Sequence, residues 1–290
     1  MTSKDLKFVF FGTPDIAVNV LGGLEAAGFL PAAVVTAPDR PRGRGHEVSP
    51  SPVAQWAAER GIDILKPEKL KDPAALAELR NTQWDLFVVA MYNKILPQWV
   101  IDMPRRGCLN VHPSLLPKFR GPSPVLSAIL ADERTTGVSI MLLDSEMDHG
   151  PLLAQARIEI AEEDWPMRGS ELEELLSTEG GILLAETIPQ WLDGAIEPEE
   201  QDHAQATYTE KFDKAQAQID LAGDARQNLL KIAAFDKSPR AYFLDADGAR
   251  VIIKDAALGE DGSLEILSVI PEGRKEMTYE EYRRGTKAGA

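Results

Sequence analysis

The sequence has 290 residues, 44% hydrophobic and 27% charged, the balance of a soluble globular protein with one large domain and a smaller one. Its 31 basic and 46 acidic residues leave a net charge of −15, which taken whole argues against a polyanionic partner such as nucleic acid. A single cysteine, Cys108, excludes a disulfide framework and any Cys-x-x-Cys metal or redox site.

In chain order, the apolar run Leu6–Phe11 predicts a first strand, ending at Gly12-Thr13-Pro14-Asp15. It has no cleavage pattern, so no secretory leader is expected. Pro14 suits the first turn of a helix whose Ile16, Val20, Leu21 and Leu24 recur at helical spacing. Further strands are expected at Ala32–Thr36, Ile62–Leu65, Asp85–Ala90, Gly107–Val111 and Gly137–Leu143, with helices at Pro52–Arg60 and Pro73–Arg80 between them. Continuous apolar strands alternating with helices indicate an α/β fold, a mostly parallel sheet covered on both faces. No run reaches the roughly 18–20 apolar residues that span a bilayer. Met167–Leu192 reads as one long helix and Asp193–Glu210 as a polar linker. A helix near Ala222–Phe235 and strands at Ala241–Leu244, Arg250–Ile253 and Leu264–Ile270 then form a small α+β domain. Thr278-Tyr279-Glu280-Glu281 has the pattern of a capping box opening a last short helix. The expected division is 1–192, a linker at 193–207, and 208–290.

The first turn lacks the glycine spacing of a dinucleotide fingerprint, and no P-loop is present. A nicotinamide or flavin cofactor is therefore not expected. Gly22, Gly23 and Gly28 read as helix packing and a helix end.

The chemistry-bearing stretch is Asn110-Val111-His112-Pro113-Ser114. Residues two apart on a strand share a face, so Asn110 and His112 project together at a carboxyl end, where α/β folds place ligands. An imidazole accepts protons near neutrality and an amide donates to an oxyanion. The next strand ends in Asp144-Ser145-Glu146-Met147-Asp148-His149-Gly150, bringing Asp148 within reach of His112. Each feature alone has a plainer reading as a strand-end histidine or a loop-capping aspartate.

Together they resemble the folate-dependent formyltransferase family. The resemblance rests on Asn-x-His-Pro-Ser-Leu-Leu-Pro-x-x-Arg-Gly from Asn110 to Gly121, on Met147-Asp148-x-Gly-Pro, and on Phe11-Gly12-Thr13-Pro14-Asp15. The loop Ala37-Pro38-Asp39-Arg40-Pro41-Arg42-Gly43-Arg44-Gly45, Ser49–Val53 and Pro271–Met277 are similar to members that act on an aminoacyl-tRNA. The resemblance is dense over the first 200 residues and patchy over the last 80. It implies a Rossmann-like catalytic domain and a small C-terminal α+β domain, here a truncated barrel. Asn110, His112 and Asp148 match the catalytic trio. Ser114, Leu115, Leu116 and Pro117 match the segment lining the folate site. Val89, Met91, Tyr92 and Asp144 match the surroundings of the pterin ring. Arg40, Arg42 and Arg44 match the loop that enters the acceptor end of the tRNA.

The implied reaction carries a formyl group from 10-formyltetrahydrofolate to initiator methionyl-tRNA, in a cytoplasmic monomer, without metal. The alternative is a sugar-nucleotide N-formyltransferase with the same trio. This sequence departs from the family at Asn93, where glycine is common, at Arg42, where alanine is common, and at Phe235–Pro239, which lacks a tryptophan.

The charge is uneven. Residues 151–210 hold only Arg157 and Arg168 against 15 acidic residues, whereas 1–150 hold 16 basic and 17 acidic groups. Pro104–Gly121 carries Arg105, Arg106, Lys118 and Arg120 with no acid. The net charge therefore describes one segment and does not exclude an RNA partner. Cys108 reads as a core residue. His46, His149 and His203 read as loop residues without an assigned role.

Overall fold

The structure, a computed structural model, describes residues 6–42 and 47–287. They form two compact units, drawn from 1–122, 137–158 and 173–208, and from 123–136, 159–172 and 209–290.

In chain order the elements begin with β1 (Phe8–Phe11), α1 (Asp15–Ala26), β2 (Ala33–Val35), β3 (Arg40–Arg42), β4 (Glu47–Ser49) and α2 (Pro52–Glu59). β5 (Asp63–Leu65), α3 (Ala77–Arg80), β6 (Leu86–Val89), α4 (Gln98–Ile101) and β7 (Cys108–His112) follow. Then come α5 (Pro124–Leu130), β8 (Thr135–Leu142), β9 (Leu152–Glu159) and α6 (Gly169–Leu192).

The first unit is built on a seven-stranded sheet in the order β5-β2-β1-β6-β7-β8-β9. β5, β2, β1, β6 and β7 run parallel, and β8 is antiparallel to β7. Val9, Phe11, Val35, Phe87, Val89 and Cys108 occupy one face and bury against Leu76, Leu79 and Val100. The alternate residues Phe8, Phe10, Val34 and Val88 are also buried, which is why these strands read as unbroken apolar runs. Small residues let α6 lie close to its neighbours. A Cβ on Gly23 of α1 would lie 2.6 Å from the Gly181 carbonyl carbon, and one on Gly180 would lie 2.6 Å from Val111 Cγ1. Gly28 (φ 84°) ends α1. Some strands of the first unit were not among those expected. β3 and β4 form a small antiparallel hairpin, and β9 extends the sheet beyond β8.

In the second unit α5 packs on α7 (Ala225–Ala234). A four-stranded antiparallel sheet runs in the order β10 (Tyr242–Leu244), β11 (Arg250–Leu258), β12 (Leu264–Pro271), β13 (Met277–Thr278), and α8 (Tyr279–Lys287) follows. The capping box forms: Glu281 N donates to Thr278 Oγ1 (3.2 Å) and Thr278 N to Glu281 Oε2 (3.0 Å). Among the described residues the sheet stops at four strands. The unit is discontinuous in sequence, where 208–290 alone was expected. Segment 123–136 joins it because α5 lies on α7, and Trp165 Nε1 donates to Asp132 Oδ1 (2.6 Å). Residues 199–207, expected as linker, and Tyr208, expected to open the second domain, are held to the first unit, with Glu199 bridging Leu152 and Tyr208 bridging Arg120.

Candidate active site

Strand order reverses at β1 and β6, so the crevice of an α/β sheet opens at their carboxyl ends, beside β7. On β7, Val111 turns toward Gly180 of α6. Strand alternation then sends Cys108, Asn110 and His112 to the opposite face. Cys108 ends up in the apolar core, where burial pushes its thiol well above the usual range and makes it a poor nucleophile. Asn110 and His112 continue that row past the core. Asn110 is half-buried, and among the described residues its amide has no hydrogen-bond partner.

His112 is 4% exposed. Its Nε2 lies 3.0 Å from the Phe119 carbonyl oxygen. A carbonyl only accepts, so Nε2 carries the proton and Nδ1 holds the lone pair of the neutral ring. Nδ1 faces Asp148 Oδ1 at 3.6 Å. Both residues that flank the ring have left-handed backbones, Phe119 at φ 59° and Asp148 at φ 50°, at a cost of roughly 1–2 kcal/mol each. Gly121 N donates to Asp148 Oδ2 (2.8 Å). Gln201 Nε2 donates to the carbonyls of Asp148 (3.0 Å) and Gly150 (2.7 Å).

The segment after His112 is internally satisfied. Ser114 Oγ donates to Lys118 O (2.7 Å). Ser139 Oγ donates to Ser114 O (2.7 Å) and accepts from Leu116 N (3.1 Å) and Gln155 Nε2 (2.8 Å). Leu116 is buried; Leu115 and Pro117 are half-buried. Of the expected pterin surroundings, Val89 and Tyr92 belong to the apolar core, and burial raises the Tyr92 hydroxyl above its ordinary pKa. Among the described residues that hydroxyl has no partner. Met91 (φ 49°) and Asn93 (φ 60°) are left-handed, which accounts for glycine being common at the second position and for asparagine serving there. Asp144 uses both oxygens within its loop, accepting from Glu146 N (2.8 Å) and pairing with His149 Nδ1 (2.7 Å).

Of the three expected tRNA-facing arginines, Arg40 is exposed on β3. The backbone of Arg42 lies in the same strand, while its side chain and all of Arg44 lie outside the described residues. Arg106 is engaged, donating to Leu192 O (3.0 Å) at the end of α6. Sequence reasoning counted Arg120 in a basic run facing the RNA and gave Gln201 and His203 no role, yet Arg120 is 1% exposed and bonded to both of the others. The available signal was an arginine next to Phe119 and close to the apolar Leu115–Pro117, since a buried guanidinium must find partners. Among the described residues no three or more metal-ligating side chains converge, and no helix is long and apolar enough to cross a membrane.

A strand-end amide, imidazole and carboxylate on such a sheet suit the acid–base chemistry of group transfer. The chain belongs to the formyl transferase family, whose model matches residues 6–187. Methionyl-tRNA formyltransferase from Bacillus licheniformis is 36% identical, over 96% of this chain and 95% of its own. The enzyme of the same name from Chloroflexus aggregans is 44% identical over 82% and 76%. The methionyl-tRNA formyltransferases are thus the branch in which the chain falls. In fold it is similar to an N-formyltransferase from Helicobacter canadensis, crystallised with folinic acid and dTDP-3-aminofucose (TM-score 0.65, 18% identity, 88% of each chain).

Proposed function

We propose that the protein transfers the formyl group of 10-formyltetrahydrofolate to the α-amine of initiator methionyl-tRNA, using Asn110, His112 and Asp148. The observation that carries the chemistry is the His112 ring, held at Nε2 by the Phe119 carbonyl with its Nδ1 lone pair facing Asp148. The relatives' shared name supports the acceptor, and the exposed Arg40 is in keeping with a polyanion at the β3–β4 hairpin.

An α-amine has an ordinary pKa near 7.7–8.0, so roughly a fifth to a third of it is already neutral at physiological pH. Its nitrogen attacks the formyl carbon, and the carbonyl oxygen gains negative charge. The unpartnered Asn110 amide donates to that oxygen. The proton lost by the attacking nitrogen is taken up at Nδ1, where Asp148 stabilises the imidazolium. The C–N10 bond then breaks, N10 takes a proton, and tetrahydrofolate leaves. Ser114–Pro117, braced by Ser139 and Gln155, would line the folate, with Val89–Tyr92 and Asp144 around the pterin. Arg40, Arg42 and Arg44 would meet the acceptor end. A cytoplasmic, monomeric enzyme is part of the same reading.

The test is formylation of initiator methionyl-tRNA, elongator methionyl-tRNA and an amino-sugar nucleotide, each with 10-formyltetrahydrofolate. Turnover confined to initiator tRNA supports the proposal. Turnover of the sugar nucleotide alone would replace it. Arg44→Ala is expected to raise KM for tRNA while leaving folate affinity unchanged; equal weakening of both would remove the arginine loop from the tRNA side.

A further inference from the structure

Arg120 is 1% exposed, and among the described residues no carboxylate lies within ion-pair distance of it. Buried cations are ordinarily paired with an anion. Here the guanidinium donates to neutral acceptors: Nε and Nη2 to Gln201 Oε1 (3.1 and 2.7 Å), Nη1 to the Tyr208 hydroxyl (3.4 Å), and Nη2 to His203 Nδ1 (2.9 Å). A guanidinium has no lone pair to offer, so His203 Nδ1 must be unprotonated, and the contact fixes the direction of its ring. That ring lies flat on His149, with centroids 4.1 Å apart and planes 4° from parallel. The His149 ring is also held at its edge, where Nδ1 lies 2.7 Å from Asp144 Oδ2.

His149 follows Asp148, whose left-handed backbone persists only where its surroundings hold it. Two holds converge on this residue. Gln201 grips the carbonyls on either side of His149, and the ring stack fixes the side chain between them. Both run back to Arg120, and thence to the segment whose Phe119 carbonyl orients His112. One buried cation thus ties together the two backbone stretches that present the imidazole and the carboxylate to each other.

We infer that the stacked His149–His203 pair, fixed by Arg120, is a clamp that holds the Asp148 carboxylate in register with His112. His149 and His203 are positioning residues for formyl transfer; the inference rests on the catalytic reading of Asp148 and His112 given above. Misplacement of a reacting group by about 1 Å costs up to 10²-fold in rate, so loosening the clamp at His203 acts on kcat and leaves substrate binding alone. His149 also holds Asp144, read as lining the pterin, so the KM criterion applies to His203→Ala.

The experiment is steady-state formylation of methionyl-tRNA by the full chain, with folding checked by thermal melting. His203→Ala is expected to lower kcat about tenfold, with KM for both substrates within about twofold of wild type. His203→Phe keeps a ring and should recover to within about threefold. His203→Asn keeps an acceptor for Arg120 without a ring and should stay at the alanine level. His149→Ala should give the same kcat loss independently, and the double variant should be no worse than either single one. Wild-type kcat in both alanine variants overturns the clamp, as does a loss carried by KM in His203→Ala or rescue by Asn as complete as by Phe. Asp148→Asn separates the two levels. If it retains full kcat, the catalytic reading fails. If it loses 10²-fold or more while both alanine variants are wild type, only the clamp fails.

Discussion

The two units use polar side chains differently. In the first, His112, Ser114, Arg120, Ser139 and Gln201 are all at most 4% exposed and belong to one connected patch around residues 112–120. In the second, the ion pairs stay near solvent: Arg226 pairs with Asp132 at side-chain exposures of 38% and 36%, and Arg168 with Asp255 at 43% and 48%. Burying a polar group costs about 1–3 kcal/mol unless it is hydrogen-bonded. The first unit meets that cost by satisfying nearly every group, so its polar patch holds one geometry. Among the described residues of that patch the half-buried Asn110 amide is left without a partner, as expected of a group reserved for substrate; the buried Tyr92 hydroxyl, in the neighbouring apolar core, is also unpartnered.

The sharpest way to break this contrast is Asn110→Ala. Removing an oxyanion donor should lower the single-turnover formylation rate by about 10²–10³, while the urea unfolding midpoint stays near wild type because no internal bond is lost. A threefold loss or less would take Asn110 out of the chemistry.

Next in size is Gly23→Ala, which tests the seam beneath the site. The new Cβ would lie 2.6 Å from the Gly181 carbonyl carbon and 2.8 Å from its Cα, both backbone atoms. Overpacking of this kind costs about 1–3 kcal/mol. Alanine's helix propensity alone would stabilise by roughly 1 kcal/mol, so the sign of the change in unfolding free energy decides between them.

Ser139→Ala probes the patch itself. It leaves Leu116 N without its acceptor inside the protein, at about 1–2 kcal/mol. Because Ser114–Pro117 is read as the folate-lining segment, KM for 10-formyltetrahydrofolate should rise more than kcat falls. A KM rise only for tRNA would move that segment away from the formyl donor.

What was legible in the sequence divides along the same line. β1, β2, β6 and β7 announce themselves because both faces are buried. β9 does not: Gln155, Arg157 and Glu159 alternate with apolar residues on its exposed side, so the run resembles loop. β11 was expected to end at Ile253, yet it continues to Leu258 past an irregularity at Asp255. A bulge breaks the period-two pattern that sequence reading relies on. At the site, Asn110 and His112 follow from two-residue spacing, and Asp148 from its place after the next strand. The Arg120–Gln201–His203 bonds join residues more than 80 apart. No local pattern encodes such a contact, and the polar composition of 193–210 reads as a tether.

The smallest expected effect lies on the surface side of the comparison. Asp132 accepts from Arg226 Nε (3.0 Å) and Nη2 (2.7 Å) and from Trp165 Nε1 (2.6 Å). The Arg226 hydrogen bonds hold its carboxyl below the usual range. A depressed folded-state pKa stabilises the native state above the unfolded value, near 3.9, and that contribution is lost as pH falls through the folded value. Asp132 sits at φ 56°, a conformation asparagine also tolerates, so Asp132→Asn removes the charge with little backbone strain. At this exposure the deficit should be only about 0.5–1 kcal/mol at pH 7. In urea unfolding it should be unchanged at pH 5.5 and shrink below pH 4, as wild type loses the same charge. A deficit that grows on acidification would mean that the carboxylate is not what holds α5 and α7 together, and the contrast between buried and surface polar pairing would lose its second half.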